Sequence, residues 1–176
     1  MDLSYVLFYN YKLNSQFNTL DKKIKLKVIK FPIKIDYNGD WFYNNSQIKR
    51  KPLIKLFSSV LKRDNKGNFY LETPVEKGQI EVEDAPFVIT SHKILGKNDK
   101  QKIVFYTNLE EEVVLNKNNP LIYKKKSGNY VPYVFLEKKL EARILRPVYY
   151  QLISDLKKKK EKNYTLKSQG CSFKLK

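Results

Sequence analysis

Two stretches decide how this chain is read: TPVEKGQIEVEDAPF, from Thr73 to Phe87, and TNLEEEVVLNKNNPL, from Thr107 to Leu121. Each opens with Thr and places Glu three residues on, then reaches Pro thirteen residues on and an apolar residue after it. Ser/Thr-x-x-Glu is the pattern of a capping box, in which the Thr hydroxyl accepts the N3 amide and the Glu reaches back to the N-cap amide. Pro74 suits the first helical position, Gly78 suits a helix end, and Glu111 and Glu112 suit a positive helix terminus. The spacing therefore predicts a strand that turns through a short capped helical corner, written twice, in preference to a catalytic Glu76 or Glu110.

Working outward, a second pair of segments matches. IKRKPLIKLF (48–57) and ILRPVYYQLI (144–153) share I-x-R and a similar apolar spacing. Each follows a Pro-led hairpin whose turn reads Gly39-Asp40-Trp41 or Gly128-Asn129-Tyr130. Two matched pieces predict two related α+β halves, with repeated strand or hairpin–helix motifs, mostly antiparallel strands and two main helices. The expected organisation is an N-terminal extension over 1–30, a first half over 31–95, a second over 96–157 and a polar basic tail over 158–176.

Individual elements follow from local pattern. Ile24, Leu26 and Val28 alternate with lysine, which is the period of a half-buried strand. Asn38-Gly39 signals a type I′ hairpin pairing Ile33–Tyr37 with Asp40–Tyr43. A helix is expected from about Lys51, with Pro52 in its first turn and Gly67 placed to stop it. Strands are expected at 68–73 and 79–83. Hairpins are expected from 87–95 with 101–107, and across 120–136 with a turn at Ser127-Gly128. A second helix is read over 138–160, with Pro147 imposing a kink or a late start. The chain from Glu161 is expected to be loose.

Composition sets the class. With 41% hydrophobic and 14% aromatic residues the chain has material for a core. The single cysteine, Cys171, excludes an internal disulfide and suits a reducing compartment. No apolar run is long enough to span a membrane, and the N-terminus is a poor signal peptide, so a cytoplasmic protein is expected. The formal charge of +17 is carried almost wholly by lysine, with arginine only at positions 50, 63, 143 and 146. A lysine-rich bias shared with abundant Asn, Ile and Tyr points to A/T-rich codons. Focused on one face, the same charge would attract phosphate backbones.

The segments WFYNNSQIKRKPLIKLFSSVLKR, YLETPVEKGQIEVEDAPF, FYTN and PYVFLEKKLEARILRPVYYQL resemble the bacterial family of proteins of unknown function called DUF1285. The resemblance covers roughly 33–156, and its TPVE…VEDAPF block is specific. It implies an α+β fold with repeated motifs and a role in regulation or signal transduction, with no established activity. The family's recurrent polar and aromatic residues fall on Trp41, Arg50, Thr73, Glu76, Asp84, Thr107, Asn108, Tyr133, Glu141 and Arg146. Two departures stand out. Asn45-Ser46-Gln47 replaces a Gly-Ser-Pro turn, which Asn's tolerance of left-handed backbone should preserve. Glu137 replaces an Arg, which argues against an anion at that position.

Much chemistry is excluded. His92 and Cys171 are single representatives of their types, too few for a zinc site or a Cys–His nucleophile. No phosphate-binding glycine loop occurs, and no cofactor is expected. Glu83-Asp84 is the sharpest acidic feature, read as a cation-binding or acid–base pair or as an Asp-initiated turn before Pro86. The leading expectation is a non-enzymatic regulatory module that binds a small ligand or a protein in a cleft where the halves meet. Arg50, Thr73, Glu76, Asp84, Asn108, Tyr133 and Arg146 are its candidate contacts, with Arg50 and Arg146 holding an anion together. The alternatives are nucleic-acid binding through the lysine-rich surface and a hydrolase or isomerase using paired carboxylates. Ligand identity and self-association are left open.

Overall fold

The computed structural model describes residues 27–97, 100–158 and 164–175. Ile24 and Leu26 of the alternating run, and the rest of the expected extension before residue 27, lie outside the described residues. The chain divides into two units. One takes the chain as far as Asp36 and resumes over Asp40–Glu83; the other takes Tyr37–Gly39 and everything from Asp84. That division falls earlier than the 95/96 boundary expected from sequence.

The first unit is a six-stranded sheet of order β3-β2-β1-β6-β5-β4. Its strands are β1 (Val28–Ile35), β2 (Trp41–Tyr43), β3 (Ser46–Gln47), β4 (Leu61–Arg63), β5 (Phe69–Glu72) and β6 (Lys77–Val82), with helix α1 (Lys51–Ser59) between β3 and β4. Neighbours are antiparallel except the central pair, where β1 runs parallel to β6 with Ile35 opposite Val82. Phe31, Ile33 and Ile35 on β1 alternate into a core completed by Trp41, Leu61, Leu71 and Ile80. Helix α1 adds Ile54 and Phe57, whose ring stacks on Trp41 at 6.0 Å between centroids. Val28 and Ile29, at the start of β1, are exposed.

The second unit repeats this plan. Its strands are β7 (Phe87–Leu95), β8 (Lys102–Thr107), β9 (Glu112–Val114), β10 (Leu121–Lys126), β11 (Asn129–Phe135) and β12 (Glu141–Ile144). Their order is β10-β11-β12-β7-β8-β9, again with the first and last strands as the parallel central pair. Reading β7 to β12 as β1 to β6 makes the two orders identical. Helix α2 (Arg146–Lys158) follows β12 and buries Val148, Leu152 and Leu156 at helical spacing. The molecule is α+β, with two related halves of mostly antiparallel strands and, among the described residues, two α-helices.

Several expectations are corrected. Thr73 and Thr107 open β-turns, and no helical corner forms. Thr73 and Glu76 exchange backbone and hydroxyl hydrogen bonds between β5 and β6, which leaves Gly78 inside β6. Glu110, at φ 66, turns the chain between β8 and β9. The two turns hold different topological places, after the fifth strand of one unit and the second strand of the other. The helices likewise occupy different places, so the repeat is real but its register is that of the strands.

Helix α1 stops at Ser59, where the Ser58 and Ser59 hydroxyls bond back to carbonyls three residues earlier. Gly67, at φ 91, instead turns the chain into β5. The second helix starts late: Glu141–Ile144 is a strand buried along its length, and Pro147 follows the first helical residue. The Asn38-Gly39 turn is also different. Gly39 alone has positive φ, and Asp36 and Asp40 close a three-residue loop. Both Ser127 and Gly128 are left-handed, as a type I′ turn requires. So are Asn44 and Asn45, in the left-handed backbone expected of Asn at this turn. The expected loose tail forms a hairpin of β13 (Thr165–Ser168) and β14 (Cys171–Lys174). Buried Ser168 fixes it, accepting from the Ile103 amide at 2.9 Å and donating to the Leu115 carbonyl at 2.5 Å.

Candidate functional site

The second unit gathers its charged side chains around Asp84. Strand register sets Tyr133 on β11 opposite Arg143 on β12. Lys124 and Lys126, two apart on β10, share one face of the sheet. The Tyr133 hydroxyl donates to Asp84 Oδ1 at 2.8 Å, and the Lys126 ammonium bonds the same oxygen. Arg143 Nε lies 2.9 Å from Asp84 Oδ2, but its N–H is not aimed at that oxygen, so the contact is an ion pair without a hydrogen bond. Lys124 pairs with Glu141 and sits 4.8 Å from the Tyr133 ring centroid, with Lys126 at 6.0 Å. The carboxylates are deeply covered, Asp84 at 2% and Glu141 at 9% side-chain exposure, whereas Lys124 and Lys126 keep 31% and 40%.

Burial removes water that would otherwise screen these charges, so each carboxylate requires a cation beside it. Burial first, then the hydrogen bond to Asp84 and its negative charge, push the Tyr133 phenol well above the usual tyrosine range; Arg143 opposes this only in part. Tyr133 is therefore a neutral donor. The cluster pairs three cations with two carboxylates.

The same residues hold a turn. Arg143 Nη2 donates to the Tyr37 carbonyl at 2.5 Å, and its guanidinium lies 3.8 Å from the Tyr37 ring centroid. Asn108 donates to the Gly39 carbonyl at 3.0 Å and accepts from the Val88 amide at 3.2 Å. A Cβ on Gly39 would stand 2.9 Å from the Asn108 amide nitrogen, so the turn requires glycine for space as well as for its φ of +81.

Of the candidates expected from sequence, Asp84 and Tyr133 come together, and Asn108 serves the turn that Arg143 also holds. Thr73 and Glu76 belong to a turn of the first unit. Arg50 is the N-cap residue of α1, its carbonyl accepting from Leu53 and Ile54, and its side chain is exposed. Arg146 opens α2 and is exposed. Glu83 and Asp84 do not act as a pair: Glu83 bonds Lys34 at 2.5 Å in the first unit, while Asp84 belongs to the second. Glu137 lies on an exposed 3-10 turn over Glu137–Lys139. His92 is sequestered, its side chain 2% exposed and its Nε2 3.1 Å from Asp155 of α2. Among the described residues no group of three or more His, Cys, Asp or Glu could hold a metal ion. No described helix is long and apolar enough to cross a membrane.

Arg143, Lys124, Lys126 and Tyr37 were not singled out from sequence. Arg143 carried a signal, being one of four arginines in a chain that otherwise uses lysine. A planar guanidinium can contact a carboxylate, a carbonyl and an aromatic ring at once, which an ammonium cannot.

A duplicated α+β protein with parallel central strand pairs and a buried charge cluster in its second unit is the class defined by this architecture. Family models agree with the division. Residues 26–85 match the domain of unknown function DUF1285, N-terminal domain, and residues 86–175 match the protein of unknown function DUF1285, C-terminal domain. The chain belongs to the DUF1285 family. It is similar to the crystal structure of a DUF1285 family protein from Silicibacter pomeroyi DSS-3, with 33% identity over 86% of this chain and 83% of that one and a TM-score of 0.73. A DUF1285 family protein from Shewanella baltica OS155 shares the fold at 24% identity, over 70% of this chain and 91% of that one, with a TM-score of 0.55. No curated protein matches.

Proposed function

We propose that this DUF1285 protein is a non-enzymatic binding module with a regulatory role, whose ligand-contacting centre is the cluster around Asp84. One observation carries the reading: buried Asp84 is enclosed by Arg143, Lys126 and Tyr133, while the side chains of Lys124 and Lys126 remain partly open to water. Both carboxylates of the group already have cations as partners, Asp84 with Lys126 and Arg143 and Glu141 with Lys124. The group is well placed to accept an anionic ligand, because the cations outnumber the carboxylates and two of them are reachable. The ligand class is a small carboxylate or phosphate, or an acidic side chain of a protein partner. Titration with inorganic phosphate and with citrate, followed by NMR, tests it. Shifts confined to Lys124, Lys126, Tyr133 and their neighbours, weakened about tenfold in Lys126→Ala, are expected. Spectra that do not respond to either anion would refute the assignment.

A further inference from the structure

The lysines of the second unit sort into two groups. Lys124 and Lys126 are paired with Glu141 and Asp84. Lys93, Lys97, Lys100, Lys102 and Lys167 are exposed, and none pairs with a described carboxylate. These five come from three strands, β7, β8 and β13, and the loop between the first two. The β7–β8 register sets Lys93 opposite Val104 and Leu95 opposite Lys102, and Lys97 and Lys100 lie in the loop between those strands. Gln101 ties the same end to β13, its carbonyl accepting from the Gln169 amide at 2.9 Å and its side chain donating to the Lys167 carbonyl at 2.7 Å. Leu166 and Ser168 are buried, so Lys167 between them faces solvent. The ammonium of Lys93 lies 5.3 Å from the Tyr106 ring centroid. The acid in the intervening loop sequence is Asp99.

Clustered like charges repel, and folding alone gives no reason to gather them. Genomic lysine bias would scatter lysines, with acids interspersed, as in the first unit, where Lys34, Lys62 and Lys77 all find carboxylates. Residues 84–176 carry +11 of the +17 formal charge. We propose that the β7–β8 end of the second unit, with Lys167 of β13, binds the phosphodiester backbone of single-stranded nucleic acid. The described part of this surface is built of strands, with no helix in it, which suits a flexible single strand better than a duplex groove read by a helix. Lysines alone, without arginine forks, give backbone attraction and no base specificity. A membrane surface fits less well, because the apolar contribution of this end is Leu95, 41% exposed, and interfacial binding requires a broad apolar face. This surface is distinct from the Asp84 cluster, and the inference stands whether or not that cluster binds anions.

Fluorescence anisotropy with labelled oligouridylate and oligothymidylate across a range of salt tests the proposal. Four to five phosphate contacts give a slope of about −3 in log K against log salt for a single strand. Lys97→Glu/Lys100→Glu/Lys102→Glu should weaken binding more than tenfold and flatten the slope by about 2. A control of equal charge change, Lys49→Glu/Lys66→Glu/Lys117→Glu, should stay within about threefold if the site is local. The three loop-end lysines changed to Gln give a milder second variant, and circular dichroism checks that each retains the fold. Equal loss in both triple variants, no binding at low salt, or capture only by phosphatidylserine vesicles would overturn the proposal.

Discussion

Asp84 shows what one buried carboxylate requires of its surroundings. Replacing it with Ala leaves the Arg143 guanidinium, 7% exposed, without a countercharge, a defect that costs about 3–5 kcal/mol. Urea unfolding should show that loss, whereas Glu81→Ala, on a carboxylate 62% exposed and 3.9 Å from Lys34, should change stability by well under 1 kcal/mol. Tyr133→Phe should cost about 1–2 kcal/mol by leaving part of Asp84 unsatisfied. The Tyr133 proton is held more tightly in the folded state than in the unfolded one. Its contribution is therefore complete below the ordinary tyrosine pKa of about 10 and declines as pH rises beyond it. Absorbance titration should find Tyr133 ionising only as the protein unfolds in alkali. Asp84 and Tyr133 were legible in the sequence because the family resemblance marks them. The partners that give them meaning were not, because lysines on β10 and Arg143 on β12 join them only through strand register.

At the scale of elements, turns and short strands make sharper tests than helices. Gly39, Gly78 and Gly128 differ in what a methyl group would meet. At Gly78 a Cβ would fall 2.0 Å from the Phe31 ring, while at Gly128 nothing lies within 4 Å. Gly128→Ala should therefore cost about 1 kcal/mol for its backbone alone. Gly78→Ala should cost more than this despite its ordinary φ, because the Phe31 ring must move. Melting temperatures of the two variants would rank them. Glu72, bonded by Lys62 and Lys77 across the β4–β5–β6 strands, has its carboxyl held below the usual range, by the Lys62 hydrogen bond first and then that of Lys77. Its stabilisation is present above the unfolded value and is lost as pH falls through the folded one. Glu72→Gln should cost about 0.5 kcal/mol near neutrality and nothing in strong acid, as paired urea titrations would show.

Hairpins were legible because alternation and turn residues coincide. The 138–160 helix was misread because Leu140, Ile144, Val148 and Leu152 recur every four residues, a helical spacing that hides the strand alternation of Leu140, Ala142 and Ile144. Thr-x-x-Glu misled for a related reason. A hydroxyl that can cap a helix can equally accept amides in a β-turn, as the Thr107 hydroxyl does from Leu109 and Glu111.

On the scale of the whole molecule, duplication was visible in the sequence and its register was not. Similar segments were matched, but the segments that look alike occupy different topological positions. The repeat that the fold keeps is carried by β1–β6 and β7–β12, which share one strand order. The second unit also includes Tyr37–Gly39, far upstream of Asp84. A fragment beginning at Asp84 lacks the carbonyls held by Arg143 and Asn108. It should therefore be less stable than the same residues in the full chain by about 1–3 kcal/mol, measurable by hydrogen exchange at β7 and β12.

The parallel central pair bears on how such a protein could arise. A unit that starts and finishes on adjacent strands running the same way receives the polypeptide at one pole and releases it at the opposite pole. A copied gene segment placed directly behind the first would then continue in stride, without a long return passage. The link from Val82 to Phe87 is indeed no more than Glu83, Asp84, Ala85 and Pro86. Among the described residues the hairpin of β13 and β14 has no counterpart in the first unit, so it is an addition to the copied plan and not a part of it.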